Sequence, residues 1–163
     1  MEITDYIEIR RKLTLEEISF GYSSVTIFED DDLKKAQVGY GIGASGEDFT
    51  GANEGDWKTG WLVVGFEGAL GDPIFVDLKE DDLPVYKAIH GQGCWDPQMI
   101  ASSFDGFIEA LGIIEVISKG REHPVALERN PLSRKVKEET LAKIRKATGN
   151  VSLEFWESWF GIY

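Results

Sequence analysis

The apolar positions of this chain fall into two spacings, separated by one long stretch with neither. Near the start, Ile3, Tyr6 and Ile7 share one side of a short helix over residues 2–13. Thr14-Leu15-Glu16-Glu17 has the form of a capping box and predicts another helical turn. Residues 24–28 are β-branched and aromatic, which predicts a strand, and Asp31 or Asp32 can cap a short helix through Leu33 and Ala36. Periodicity then fades. Ten of the 18 glycines lie between Gly39 and Gly71. Residues 39–60 read as a long loop, a kind of segment that often carries function. Three β runs follow at 61–66, 73–78 and 84–90, joined by short turns at 67–72 and 79–83. Such short connections predict an antiparallel meander.

The next segment carries helix signals. Asp96 stands where an N-cap would, Pro97 at the first helical position, and Ile100, Phe104, Phe107, Ile108 and Leu111 form one apolar stripe. Gly112 either ends this helix or sits inside a longer one reaching Ile117. Residues 119–132, with Pro124 and Pro131, read as loop. Ser133 can cap a basic helix closed by Gly149, and Ser152 a last short helix bearing Leu153, Trp156, Trp159 and Phe160.

Composition turns this pattern into a class. A chain of 163 residues with 42% apolar residues, 19 aromatics among them, can bury one substantial core, so a single α+β domain is expected. Cys94 is the sole cysteine, which excludes an internal disulfide and favours a reducing compartment. The acidic start, Met1-Glu2-Ile3-Thr4-Asp5, does not read as a signal peptide, and no apolar run approaches the ~20 residues of a membrane span, so a cytoplasmic protein is expected. The net charge of −12 is uneven: residues 1–118 carry 8 basic and 23 acidic side chains, whereas residues 119–163 carry 9 and 6. The larger part would repel nucleic acid and attract a basic partner. The smaller reads as a basic helical C-terminal extension of the one domain, 1–163.

Candidate chemistry adds little. Gly41-Ile42-Gly43-Ala44-Ser45-Gly46 fits the letters of a dinucleotide fingerprint but lacks the strand before and the helix after it. His90 and Cys94 could form a thiol site, but no oxyanion donor or orienting third group can be named. Metal binding by the same residues with His123 lacks paired ligands such as C-x-x-C. Neither a cofactor nor a metal is expected. The acidic runs 29–32 and 80–82 read as solvated turns or as a patch for a basic partner. The basic helix intersperses Glu138 and Glu139 among its cations, which argues against phosphate binding. Trp61 and Trp95 read as core. Trp57, in the glycine-rich loop, reads as an interface anchor alongside Glu80, Asp81 and Asp82.

Residues 57–111 resemble the SUKH superfamily, the domain of fungal Smi/Knr cell-wall regulators and of many bacterial toxin-immunity proteins. The resemblance is carried by Trp61 opening a strand, Gly71-Asp72-Pro73, Tyr86, His90, Trp95, and Ala101-Ser102-Ser103-Phe104-Asp105-Gly106-Phe107, which looks like the family's A-x-S-F-x-x-F helix. The family's Leu-Pro motif in an N-terminal helix has no counterpart, because no proline precedes Pro73. The resemblance implies an α+β fold with a twisted, mainly antiparallel sheet flanked by helices. It also implies a non-catalytic, protein-binding role: bacterial members typically block a secreted toxin, often a nuclease, inside the producing cell. The expected partner is then a basic protein, such as a polymorphic or contact-dependent toxin. The alternatives are a small cysteine/histidine hydrolase and a regulatory scaffold of cell-wall or signalling pathways.

Overall fold

A computed structural model describes residues 2–11, 16–68 and 70–161. Six strands form one sheet in chain order: β1 (Glu17–Phe20), β2 (Ser23–Ile27), β3 (Trp61–Glu67), β4 (Asp72–Asp77), β5 (Val85–Lys87) and β6 (Gln98–Ala101). Every neighbouring pair is antiparallel. The helices are α1 (Ile3–Arg10), α2 (Asp30–Ala36), α3 (Phe104–Ser118), α4 (Pro124–Arg129), α5 (Arg134–Ala147) and α6 (Glu154–Ser158). The α+β class and the helix-flanked antiparallel sheet agree with the sequence expectation.

The sheet is buried on both faces. Leu62 and Val64, Ile74 and Val76, and Val85 turn to one side with Ile18, Phe20, Val25 and Ile27, and meet Phe104, Phe107, Leu111 and Ile114 of α3. The strands are short, and α5 and α6 complete this core. Ile144, Trp156, Trp159 and Phe160 are buried in it, and the Trp156 indole donates to the Ile100 carbonyl at 2.9 Å. The basic helix and the short helix after it thus contribute buried side chains to the same core as the sheet. Gly106 of α3 lets the end of α5 approach closely: a Cβ there would stand 2.3 Å from the Ala147 carbonyl oxygen.

Several expected element boundaries need correction; α2, for one, starts at Asp30 after Glu29, with Asp31 and Asp32 inside it. The helix after the meander starts at Phe104, not at Asp96. Residues 98–101 instead pair with β5, Gln98 opposite Lys87 and Met99 opposite Tyr86. The Ser103 hydroxyl caps α3 by accepting from the Gly106 N–H at 3.1 Å. A sheet edge thus claimed a segment whose local signals were helical. The expected helical turn at 14–17 lies partly outside the described residues, and Glu17 opens a strand, its register set by Thr26 opposite it. Pro124 starts a helix inside the expected loop, where His123 Nδ1 accepts from the Ala126 N–H at 3.3 Å.

The end of β2 leaves the outer edge of Val63 without a strand partner. Gln37, just past α2, fills the gap. Its Nε2 donates to the Val63 carbonyl at 2.8 Å and its Oε1 accepts from the Val63 N–H at 2.9 Å. A buried side-chain amide thus substitutes for strand backbone, beside the irregularity that shifts register between Val63 and Gly65.

Candidate functional site

The second face of the sheet carries the site. Trp61, Val63, Phe75 and Tyr86 project from β3, β4 and β5 away from the helices. The glycine-rich segment folds back over them. It is tied by backbone bonds such as Gly43 N–H to the Glu47 carbonyl (2.7 Å) and Gly51 N–H to the Trp57 carbonyl (2.9 Å). Side chains tie it too: Asp48 accepts from the Thr50 N–H at 2.8 Å and from its hydroxyl at 2.7 Å. The Thr50 bonds hold the Asp48 carboxyl below the usual range, and the Glu47 carboxyl is lowered likewise by its own N–H and by the Ser45 N–H at 3.0 Å.

Trp57 is the plug of this cover, which corrects its reading as an interface anchor. It is 2% exposed, because the loop ends by turning its indole onto the sheet. Its ring centroid lies 4.7 Å from Phe75, 5.2 Å from both Tyr40 and Trp95, and 5.3 Å from Trp61. The indole N–H donates to the Trp61 carbonyl at 3.2 Å. The glycines of the G-x-G-x-x-G stretch are explained in part by this packing: a Cβ on Gly41 would stand 3.1 Å from the Trp57 ring.

Trp61 and Trp95, each half-buried against Trp57, line an open cleft of 710 Å³. Glu54, Asp56, Lys58, Gln92 and Asp96 add its polar lining, and Cys94 lies on it, exposed. Lys58 is held by the Asn53 carbonyl, and Asp56 accepts from the Asn53 N–H at 2.8 Å. Glu54 and Asp96 make no hydrogen bond or ion pair with described residues. Three carboxylates against one tethered ammonium leave the cleft negative.

The acidic turn adjoins the same face. Glu80, Asp81 and Asp82 are all exposed. The Tyr86 hydroxyl is pushed above its ordinary pKa, first by burial and then by the charges of Asp77 and Glu80. Asp82 also has a structural part, since its carbonyl accepts from the Phe104 N–H at 3.1 Å.

The residues behind the family resemblance divide into three groups. Trp61, Tyr86 and Trp95 join the aromatic face. Ser103, Phe104 and Phe107 cap and bury α3. Asp72 and His90 form a pair, His90 Nδ1 lying 2.8 Å from Asp72 Oδ1, with Gly71 and Pro73 framing the carboxylate in the turn and strand. Asp72 is buried and also 3.8 Å from the Lys87 ammonium, which contacts Glu67 as well and lies 5.7 Å from the Phe155 ring centre. His90 therefore does have the orienting carboxylate that the sequence did not reveal. Its imidazole makes no hydrogen bond with Cys94. Among the described residues, no three His, Cys, Asp or Glu side chains are grouped to hold a metal ion. No described helix is long and apolar enough to cross a membrane.

No protein-family model, curated protein or solved structure matches the chain.

Proposed function

We propose that this chain is a non-catalytic protein-binding domain of the SUKH type, an immunity protein that engages a basic toxin. The observation that carries the reading is the Trp-lined cleft on the side of the sheet away from the helices, with Glu54 and Asp96 unpaired among the described residues. Desolvated indoles commonly dominate interface energy, and clustered negative charge speeds encounter with a basic protein. In this reading the exposed turn Glu80-Asp81-Asp82 steers and the tryptophan cleft anchors.

The test is to capture the partner from the native host, purify it, and follow association by surface plasmon resonance from ~50 to ~500 mM salt, a range over which the screening length shrinks well below 10 Å. The on-rate should fall with salt, and neutralising Glu80, Asp81 and Asp82 should lower it further. An on-rate indifferent to salt, or a partner that is acidic, removes the electrostatic argument.

A thiol-enzyme reading has one observation in its favour, the Asp72–His90 pair close in sequence to an exposed Cys94. Cys94→Ser and His90→Ala separate the two. The binding reading expects both variants to retain biological activity. A hundredfold loss in both variants, with folding and partner binding preserved, would favour the thiol reading instead.

A further inference from the structure

We infer that the cleft between Trp61 and Trp95 is a receptor for an arginine side chain presented by a basic protein segment. This rests on the protein-binding reading above and specifies the chemistry that fills its site. The lining combines two features that one ligand satisfies together. Two indoles line the cavity, both set against the buried Trp57. Indoles attract cations through the ring quadrupole, and a planar guanidinium stacks on them better than an ammonium does. Two carboxylates, Glu54 and Asp96, line the same cavity and make no bond with the described residues. A guanidinium offers five donors in a fixed fork and can bond carboxylates while stacked. Among the described lining residues the one cation is Lys58, which donates to the Asn53 carbonyl and forms no ion pair with either carboxylate. Apolar or anionic ligands would leave these carboxylates desolvated and unpaired.

Cys94 on the rim needs no role in this recognition. Trp57 acts as a positioning residue, since it touches both wall indoles but is itself buried.

The probe is a six-residue arginine peptide, titrated into the full chain at low salt and followed by the indole N–H signals in two-dimensional NMR. The expected result is movement of the Trp61 and Trp95 indole signals with saturable binding. A Glu54→Gln, Asp96→Asn double variant should weaken binding by about tenfold, from loss of two charge-assisted contacts. Both side chains are exposed and make no bond with the described residues, so this variant should fold like the parent. The control is Glu109→Gln, Glu115→Gln on α3, exposed carboxylates on the helix side of the sheet that remove the same charge. It should weaken binding less than about twofold, as expected of distant, screened charges.

Equal weakening by the two double variants, or movement of signals away from Trp61 and Trp95, would overturn the cleft assignment while leaving the basic-partner reading intact. A lysine peptide of equal length that binds as tightly would overturn the guanidinium assignment. No binding of either peptide at low salt would overturn both the cleft and the basic-partner reading.

Discussion

Replacing Trp57 with alanine separates a loop anchor from a core plug. A tryptophan on an exposed loop can be truncated within about ±0.5 kcal/mol. Trp57 instead touches four rings at centroid distances of 4.7 to 5.3 Å and donates its N–H to the Trp61 carbonyl. Truncation of a buried tryptophan typically costs about 3–5 kcal/mol, and each aromatic pair adds about 0.5–1.5 kcal/mol beyond area burial. The losses are not additive, so the expected cost of Trp57→Ala lies near the upper end, about 4–5 kcal/mol. Trp57→Phe keeps a ring in the site but removes the N–H donor, and should cost less, about 1–2 kcal/mol. Urea melts read by far-UV circular dichroism measure both, since fluorescence is itself altered by losing a tryptophan. Provided both variants give the wild-type slope, midpoint shifts convert directly to stability. A cost below about 1 kcal/mol for Trp57→Ala would mean that the glycine-rich segment does not dock on the sheet as described.

Gln37→Leu should cost about 2–4 kcal/mol by urea melt, because it leaves both the N–H and the carbonyl of buried Val63 without partners; a change under about 0.5 kcal/mol would refute the strand-substitute role. Tyr6 is fully buried, its hydroxyl has no hydrogen-bond partner among the described residues, and burial raises its pKa above the ordinary value of 10. The folded state therefore keeps the phenol proton where the unfolded state loses it, so this contribution is intact below pH ~10 and declines above it by up to about 1.4 kcal/mol per pH unit. Tyr6→Phe should remove that alkaline decline and leave neutral-pH stability unchanged or about 1 kcal/mol higher; an unaltered alkaline limb in melts across pH 9–11 (roughly bracketing the free phenol value) would refute it. Phe104→Ala and Phe107→Ala should each cost about 3–5 kcal/mol, since both are buried between α3 and the sheet; melts showing under about 1 kcal/mol at both would undo that packing.

The sequence by itself determined the elements whose patterns are long or chemically marked. The three central strands are legible because β-branched and aromatic residues fill them and short turns separate them. The basic helix is legible because Ser133 caps it and its apolar residues recur with helical spacing. The tertiary structure decided the rest where local preferences are weak or contradicted. Asp96-Pro97 is a sound helix start in isolation, yet the backbone groups of residues 98–101 gain more from the open edge of β5 than from one further helical turn. Gln37 shows no signal at all, because its role depends on where a strand 26 residues away loses its neighbour. Trp57 was visible as a special residue, but its placement was not. Sequence gives a tryptophan's chemistry, while only the fold of the glycine-rich cover decides that this indole turns inward and leaves Trp61 and Trp95 to line the cleft. The same holds for Asp72 and His90: they are 18 positions apart, and only the register of β4 against β5 carries the carboxylate to the imidazole.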